Sequence, residues 1–245
     1  MRMRGNTILI TGGATGIGLA LARAFTEVGS QVVICGRRDE KLREAKAEIP
    51  RIETMKCDVS NPHDRQELFA WTTSRFPNLN VLINNAGIQY RYDIKNDPLS
   101  VLGETGEIAI NMEAPIQLSA LFISHLMRQK EAAIINVTSG LAFAPLAMMP
   151  VYCATKAALH SFSLSLRHQL SETSVRVYEI APPMVDTELD RGEREGRDER
   201  YRGIKPEEVA TASLAGLARD EAEIVIGMAN NIKSDPMGMF ERMNA

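Results

Sequence analysis

The sequence predicts an α/β fold, a doubly wound parallel sheet of about seven strands with helices on both faces. Three observations predict it. Short β-branched runs alternate with longer amphipathic stretches along the chain, the pattern of βαβ units joined by right-handed crossovers. Those runs are nearly all apolar, as strands are when both sheet faces are covered. The first of them leads straight into "TGGATGIG", Thr11 to Gly18, with four glycines in eight residues.

In order, the strand candidates are "NTILIT", "QVVIC", "IETMKC", "NVLINNAG", "AAIINVTS", "VRVYEIAPP" and "EIVIG". The basic residues of "MRMRGNTILI" precede an apolar run too short for a secretory signal, so it reads as the first strand. No apolar stretch approaches the roughly 20 residues of a membrane-spanning helix, and neither end carries a lipidation pattern. The expectation is a cytoplasmic protein with no membrane partner. With a net charge of -3, scattered Lys and Arg and 5% aromatics, the chain lacks the electrostatic footprint of a nucleic-acid binder. Its 245 residues suit one domain, 1–245, without internal repeats or linkers. The one shift in composition is the charged segment 188–206, which reads as a solvated loop or as a lid over a substrate cleft. Cys35, Cys57 and Cys153 show no metal-like spacing and read as small buried hydrophobes in a reducing compartment. His63, His125, His160 and His168 do not cluster, so no metal is expected.

A glycine costs backbone entropy wherever a side chain would serve, so four together mark a tight turn or a close approach. In a doubly wound sheet, the first strand-to-helix turn can offer backbone N–H groups and a positive helix end to a pyrophosphate. Gly12, Thr15, Gly16, Ile17 and Gly18 occupy that place, although the spacing is Gly-x-x-x-Gly-x-Gly. At the end of strand two, an acid would bind the adenine ribose hydroxyls of NAD and repel the 2′-phosphate of NADP. Here Cys35-Gly36-Arg37-Arg38 comes first and no acid appears until Asp39. A charge-assisted bond from Arg37 to that phosphate would contribute about 1.5–3 kcal/mol, roughly 10- to 150-fold in affinity. The expectation is NADP(H) in preference to NAD(H).

Downstream lie "NNAG" (Asn84 to Gly87), Asn111 in a helical stretch, Ser139 at a strand end, and "YCATK", whose Tyr152 and Lys156 share a helix face. In order and in register with the glycine turn and an Asp after strand three, they make nearly the whole chain resemble the short-chain dehydrogenase/reductase family, single-domain branch. The resemblance implies a Rossmann fold and hydride transfer between a nicotinamide and a carbonyl or secondary alcohol. It implies Tyr152 as general acid/base, Ser139 orienting the substrate oxygen, Lys156 holding the nicotinamide ribose, and Asn111 keeping a water for proton return. It further implies Asp58 and the Val59 backbone at the adenine, and Asn85, Ala86 and Gly87 on the adenosine ribose side. Pro182, Val185 and Thr187 would meet the carboxamide, with Pro183 replacing the family's usual glycine and stiffening that loop.

The chemistry accounts for the pairing. A free tyrosine ionises near pH 10, too high for the reverse-direction base. A lysine cation at about 4 Å and an effective dielectric near 20 would favour phenolate by about 4 kcal/mol, roughly 3 pH units, before desolvation.

Leu141, Phe143, Met149 and Met184 are the candidate substrate lining, apolar and adaptable. Small and apolar residues on several faces of "AALHSFSLSLRHQL" point to a homodimer or homotetramer. The rival readings are an NAD-dependent alcohol dehydrogenase and a non-catalytic regulator that senses NADP(H). The intact Ser139, Tyr152 and Lys156 argue against the regulator.

Overall fold

In the computed structural model, residues 1–102, 106–190 and 203–245 are described. All seven strand candidates form strands: β1 (Thr7–Thr11), β2 (Gln31–Gly36), β3 (Glu53–Lys56), β4 (Val81–Asn84), β5 (Ala132–Val137), β6 (Val175–Ala181) and β7 (Glu223–Val225). They make one parallel sheet in the order β3-β2-β1-β4-β5-β6-β7. The order reverses between β1 and β4, and a doubly wound sheet binds its ligand beyond the strand ends at that point.

Helices α1 (Gly16–Glu27), α2 (Asp39–Glu48) and α6 (Pro206–Ala218) pack one face, where Phe25, Leu42 and Val209 meet Ile8, Ile34 and Ile180. Helices α3 (Pro62–Arg75), α4 (Ala114–Leu126) and α5 (Pro150–Gln169) cover the other, where Leu68, Phe122 and Leu166 meet Leu9, Leu82 and Ile134. Two short helices follow, α7 (Met228–Ser234) and α8 (Pro236–Asn244). Several helices start on a proline in the first turn, where its missing N–H costs nothing. No described helix is long and apolar enough to cross a membrane.

The strands depart from uniform apolarity in two ways. The edge strand β3 is only partly buried, so its Glu53 and Lys56 stay near solvent. On the α4/α5 face a row of polar residues runs in register across four strands, Asn84 to Asn136 to Glu179 to Glu223. The first three are buried, and each has partners: Asn84 Nδ2 donates to Ser119 Oγ and Asn136 Oδ1, and Asn136 Nδ2 donates to Ser163 Oγ.

Candidate active site

Thr11 ends β1 and builds the glycine turn's wall. Its hydroxyl oxygen accepts from the amides of Asn85 and Ala86, at 3.0 and 3.1 Å. The Asn85 side chain in turn donates to the carbonyls of Thr11 and Gly12, at 2.9 and 3.1 Å. Gly12 has φ +63°, and a Cβ there would come within 2.8 Å of Ala86 Cα. A Cβ on Gly18 would strike the Gly12 carbonyl and Asn85 Nδ2, so two backbones meet here as only glycines allow. Helix α1 then opens at Thr15 with no side-chain cap and no acid in its first turn, so its first amides suit an anion. A Cβ on Gly16 would lie 3.1 Å from Thr187 Cγ2, which puts Thr187 directly over the turn. This cradle fits a dinucleotide pyrophosphate. A cavity of about 240 Å³ opens beside it between α1, α2 and Thr187, away from Tyr152.

At the ends of β2 and β3, Arg37 is exposed and near enough to Asp58 to act on its charge. Burial pulls the Asp58 carboxyl up, but bonds from the Ser60 side chain and amide, with Arg37, hold it below the usual range. Those Ser60 bonds, at 2.7 and 3.0 Å to Oδ1, make Asp58 the anchor of its own turn. The α3 cap is Asn61, which accepts from the His63 amide. Behind this corner Val59 is buried, and its carbonyl accepts from buried Arg65. Arg38, by contrast, pairs with Glu188 at 2.9 Å and reaches Thr15 Oγ1.

The candidate catalytic residues gather beyond the ends of β4 and β5, against α5. Asn111 lies in a π-helical turn, Ala109–Glu113, that leads into α4. This widened turn is a common way to aim one side chain inward. Asn111 is fully buried; its Oδ1 accepts from the Ile88 amide, and its Nδ2 donates to the Ile88 carbonyl and Thr155 Oγ1. Thr155 donates to the carbonyl of Tyr152, which ties Asn111 to α5. A Cβ on Gly87 would meet Asn111 Oδ1 at 3.5 Å and Lys156 Nζ at 3.6 Å, so these three converge. Lys156 is 4% exposed, donates to Val137 O at 2.9 Å, and has Nζ 5.6 Å from the Tyr152 ring centre. Burial lowers its pKa from 10.5 to about 8, so it remains largely a cation at neutral pH. Ser139 is buried beyond β5 with extended backbone, and its Oγ accepts from the Leu141 amide.

The lining candidates separate. Met149 is buried against Tyr152 and Cys153, with Leu141 packed on them. Phe143 stands edge-on to His160 at 5.1 Å with Lys233 Nζ over its ring, which commits it to the seam between α5 and α7. Met184 is half exposed. Around the carboxamide candidates, Pro182 O accepts from the Gly140 amide, and Pro183 lies across from Gly227. Val185 bridges to Ile204, which fixes both ends of the charged segment; positions 191–202 lie outside the described residues. Thr11, Thr155 and the Asn136–Ser163 pair were not singled out from sequence. Polar residues inside apolar strand runs were the available signal for Asn136 and Glu179.

A family model described as short chain dehydrogenase matches residues 6–198. The oxidoreductase DltE of Bacillus subtilis (strain 168) is 52% identical over 248 residues, covering 100% of this chain and 98% of its own. An NADP-dependent 3-hydroxy acid dehydrogenase, YdfG of Salmonella typhi, is 33% identical over 79% of this chain and 78% of its own. Among solved structures, a short chain dehydrogenase from Burkholderia cenocepacia J2315 in complex with NADP superposes with a TM-score of 0.83 at 27% identity, each chain covered in full. The buried lysine beneath a tyrosine, the glycine cradle and these likenesses together place the chain in the short-chain dehydrogenase/reductase family of oxidoreductases.

Proposed function

We propose that the protein is an NADP(H)-dependent carbonyl reductase or alcohol dehydrogenase with Tyr152 as its general acid/base. The observation that carries this is the buried Lys156 ammonium, 5.6 Å from the Tyr152 ring and converging with Asn111 on Gly87. A bound nicotinamide supplies or receives the hydride. The chain's own residues do the rest. Ser139 holds the substrate oxygen by a hydrogen bond, and Tyr152 donates the proton that oxygen needs on reduction. The Lys156 charge favours the phenolate left behind, and its remaining N–H donors suit ribose hydroxyls. Asn111 faces Lys156 across Gly87 and suits a water that returns the proton.

NADP(H) is preferred because Arg37 stands exposed at the end of β2 while Arg38 is paired with Glu188. The NADP named for YdfG and for the Burkholderia cenocepacia structure supports the same preference. The exposed small residues Ala154, Ala157 and Ser161 and the exposed Leu164 along α5 suit the same face of a second copy, giving a homodimer or homotetramer. The test is a titration with NADPH and NADH, followed by energy transfer from Trp71, the only tryptophan. Tenfold tighter NADPH binding is expected. Binding of neither cofactor would overturn the proposal.

A further inference from the structure

The polar row on the α4/α5 face ends in groups the proposed reaction does not use. Glu179 in β6 is a fully buried carboxylate, whereas the strand's other charged residue, Arg176, is exposed. Its Oε1 accepts from Thr138 Oγ1 at 2.6 Å, and its Oε2 accepts from His160 Nδ1 at 2.8 Å. Its register neighbour Glu223 pairs with Lys233 of α7 and lies 3.7 Å from Arg167 of α5. His160, Glu179 and Glu223 come within ligand distance of one another. Lys233 and Arg167 already supply the cations there, so the cluster is a set of ion pairs made by the chain itself.

Both partners of Glu179 adjoin the chemistry. Thr138 immediately precedes Ser139, and His160 lies one helical turn beyond Lys156 on α5. The end of β5 is thereby held from three sides. Lys156 donates to Val137 O, the Thr138 amide donates to Ile180 O, and the Thr138 hydroxyl donates to Glu179.

We propose that His160 and Glu179 are positioning residues that, through the Thr138 hydroxyl, hold Ser139 at the reaction centre and lock α5 to the end of β5. The inference rests on reading Ser139, Tyr152 and Lys156 as the catalytic set. A buried carboxylate needs donors on both oxygens, and here they come from the strand bearing Ser139 and the helix bearing Tyr152 and Lys156. Satisfied polar networks of this kind fix one geometry where apolar packing would allow several. Removing either donor leaves Glu179 under-satisfied and frees the strand end to shift. A misplacement of about 1 Å at a reacting group can cost on the order of 100-fold in rate.

The test compares Thr138→Val, Thr138→Ser and His160→Leu with the wild type in the full chain. Turnover is read with NADPH and whichever carbonyl the wild type reduces fastest in a ketone and aldehyde panel. Hydrogen exchange at the Gly140 amide, which donates to Pro182 O, reads the order of the strand end without turnover. The expected result is a kcat about tenfold or more lower in Thr138→Val and His160→Leu, with the Kd for NADPH unchanged. Thr138→Ser restores kcat to within about twofold, and Gly140 exchanges about tenfold faster in the two impaired variants. A lowered melting temperature with kcat and Gly140 exchange unchanged would overturn the proposal and leave the pair a role in stability alone. If the wild type reduces no carbonyl, the proposed function fails. Gly140 exchange then decides the pair by itself, faster exchange supporting the hold on the strand end and unchanged exchange refuting it.

Discussion

Lys156 is predicted to be held in the native fold at a cost to stability, and replacing it by methionine exposes that cost. Burial lowers its pKa from 10.5 to about 8. At about 1.4 kcal/mol per pH unit, the charged form is disfavoured in the folded protein by about 3 kcal/mol. Below about pH 8 both folded and unfolded chains carry the proton, and the whole penalty is present. Between about 8 and 10.5 the unfolded chain binds more protons than the folded one, so stability rises with pH through that window. Lys156→Met removes the ammonium and keeps the stem's length, but it leaves Val137 O without its donor, a pH-independent loss of about 1–3 kcal/mol. The pH dependence therefore separates the two effects. Urea unfolding of both proteins at about pH 7 and about pH 10 should show the wild type gaining about 2–3 kcal/mol on the variant, while other titrating groups cancel. Stability curves that run parallel across this range would refute the burial penalty. The variant should also lose turnover at every pH, since nothing then favours the Tyr152 phenolate.

The remaining predictions concern single positions. Tyr152→Phe keeps the ring and removes the acid, so turnover should fall about 100- to 10,000-fold; activity within tenfold of wild type would remove its role. Arg37→Ala should erase about 10- to 150-fold of NADPH preference without weakening NADH binding, measured by parallel titrations. Gly18→Ala drives a methyl group into Gly12 O and Asn85 Nδ2, so dinucleotide binding should be lost and the melting temperature lowered; tight NADPH binding by this variant would contradict the cradle. Burial lowers the His125 pKa from 6.5, against its bond to Leu79 O and with Arg128 adding to the shift. The unfolded chain therefore takes up that proton first as pH falls below 6.5, and stability is lost there; His125→Gln should flatten that acid limb in denaturant titrations.

The fold was legible because each strand run is short, β-branched and bounded by an amphipathic stretch, and all seven formed where those runs lie. The candidate site was legible where its parts are local: Tyr152 and Lys156 are one helical turn apart, and the glycine turn is contiguous. Contacts that depend on register were harder to read. Asn111 looked simply helical, but it sits in a π turn and bonds Ile88 and Thr155 of α5, partners far away in sequence. Asn85 is expected at the adenosine ribose, and the bond of its amide side chain to Gly12, a partner 73 residues away, could not be read from sequence. His160 looked isolated among the histidines because its partner is a glutamate on β6, brought to it where α5 packs on that strand. Sequence favours Arg37 over Arg38 as the phosphate contact, and Arg38 is taken up by Glu188, 150 residues on.

The in-register polar row has a consequence for how the chain finds its pairing. Parallel strands that are apolar on both faces say little about which residues should sit opposite one another, so a slipped sheet would bury nearly the same surface. A slip of one residue in β4, β5 or β6 would turn Asn84, Asn136 or Glu179 into the apolar layer under α1 and α6, away from Ser119, Ser163 and His160. Each polar group stranded there would cost about 1–3 kcal/mol, a large share of a domain's total stability. The row thus works as an index mark, rejecting mispaired sheets during folding before any cofactor or substrate is present to judge them.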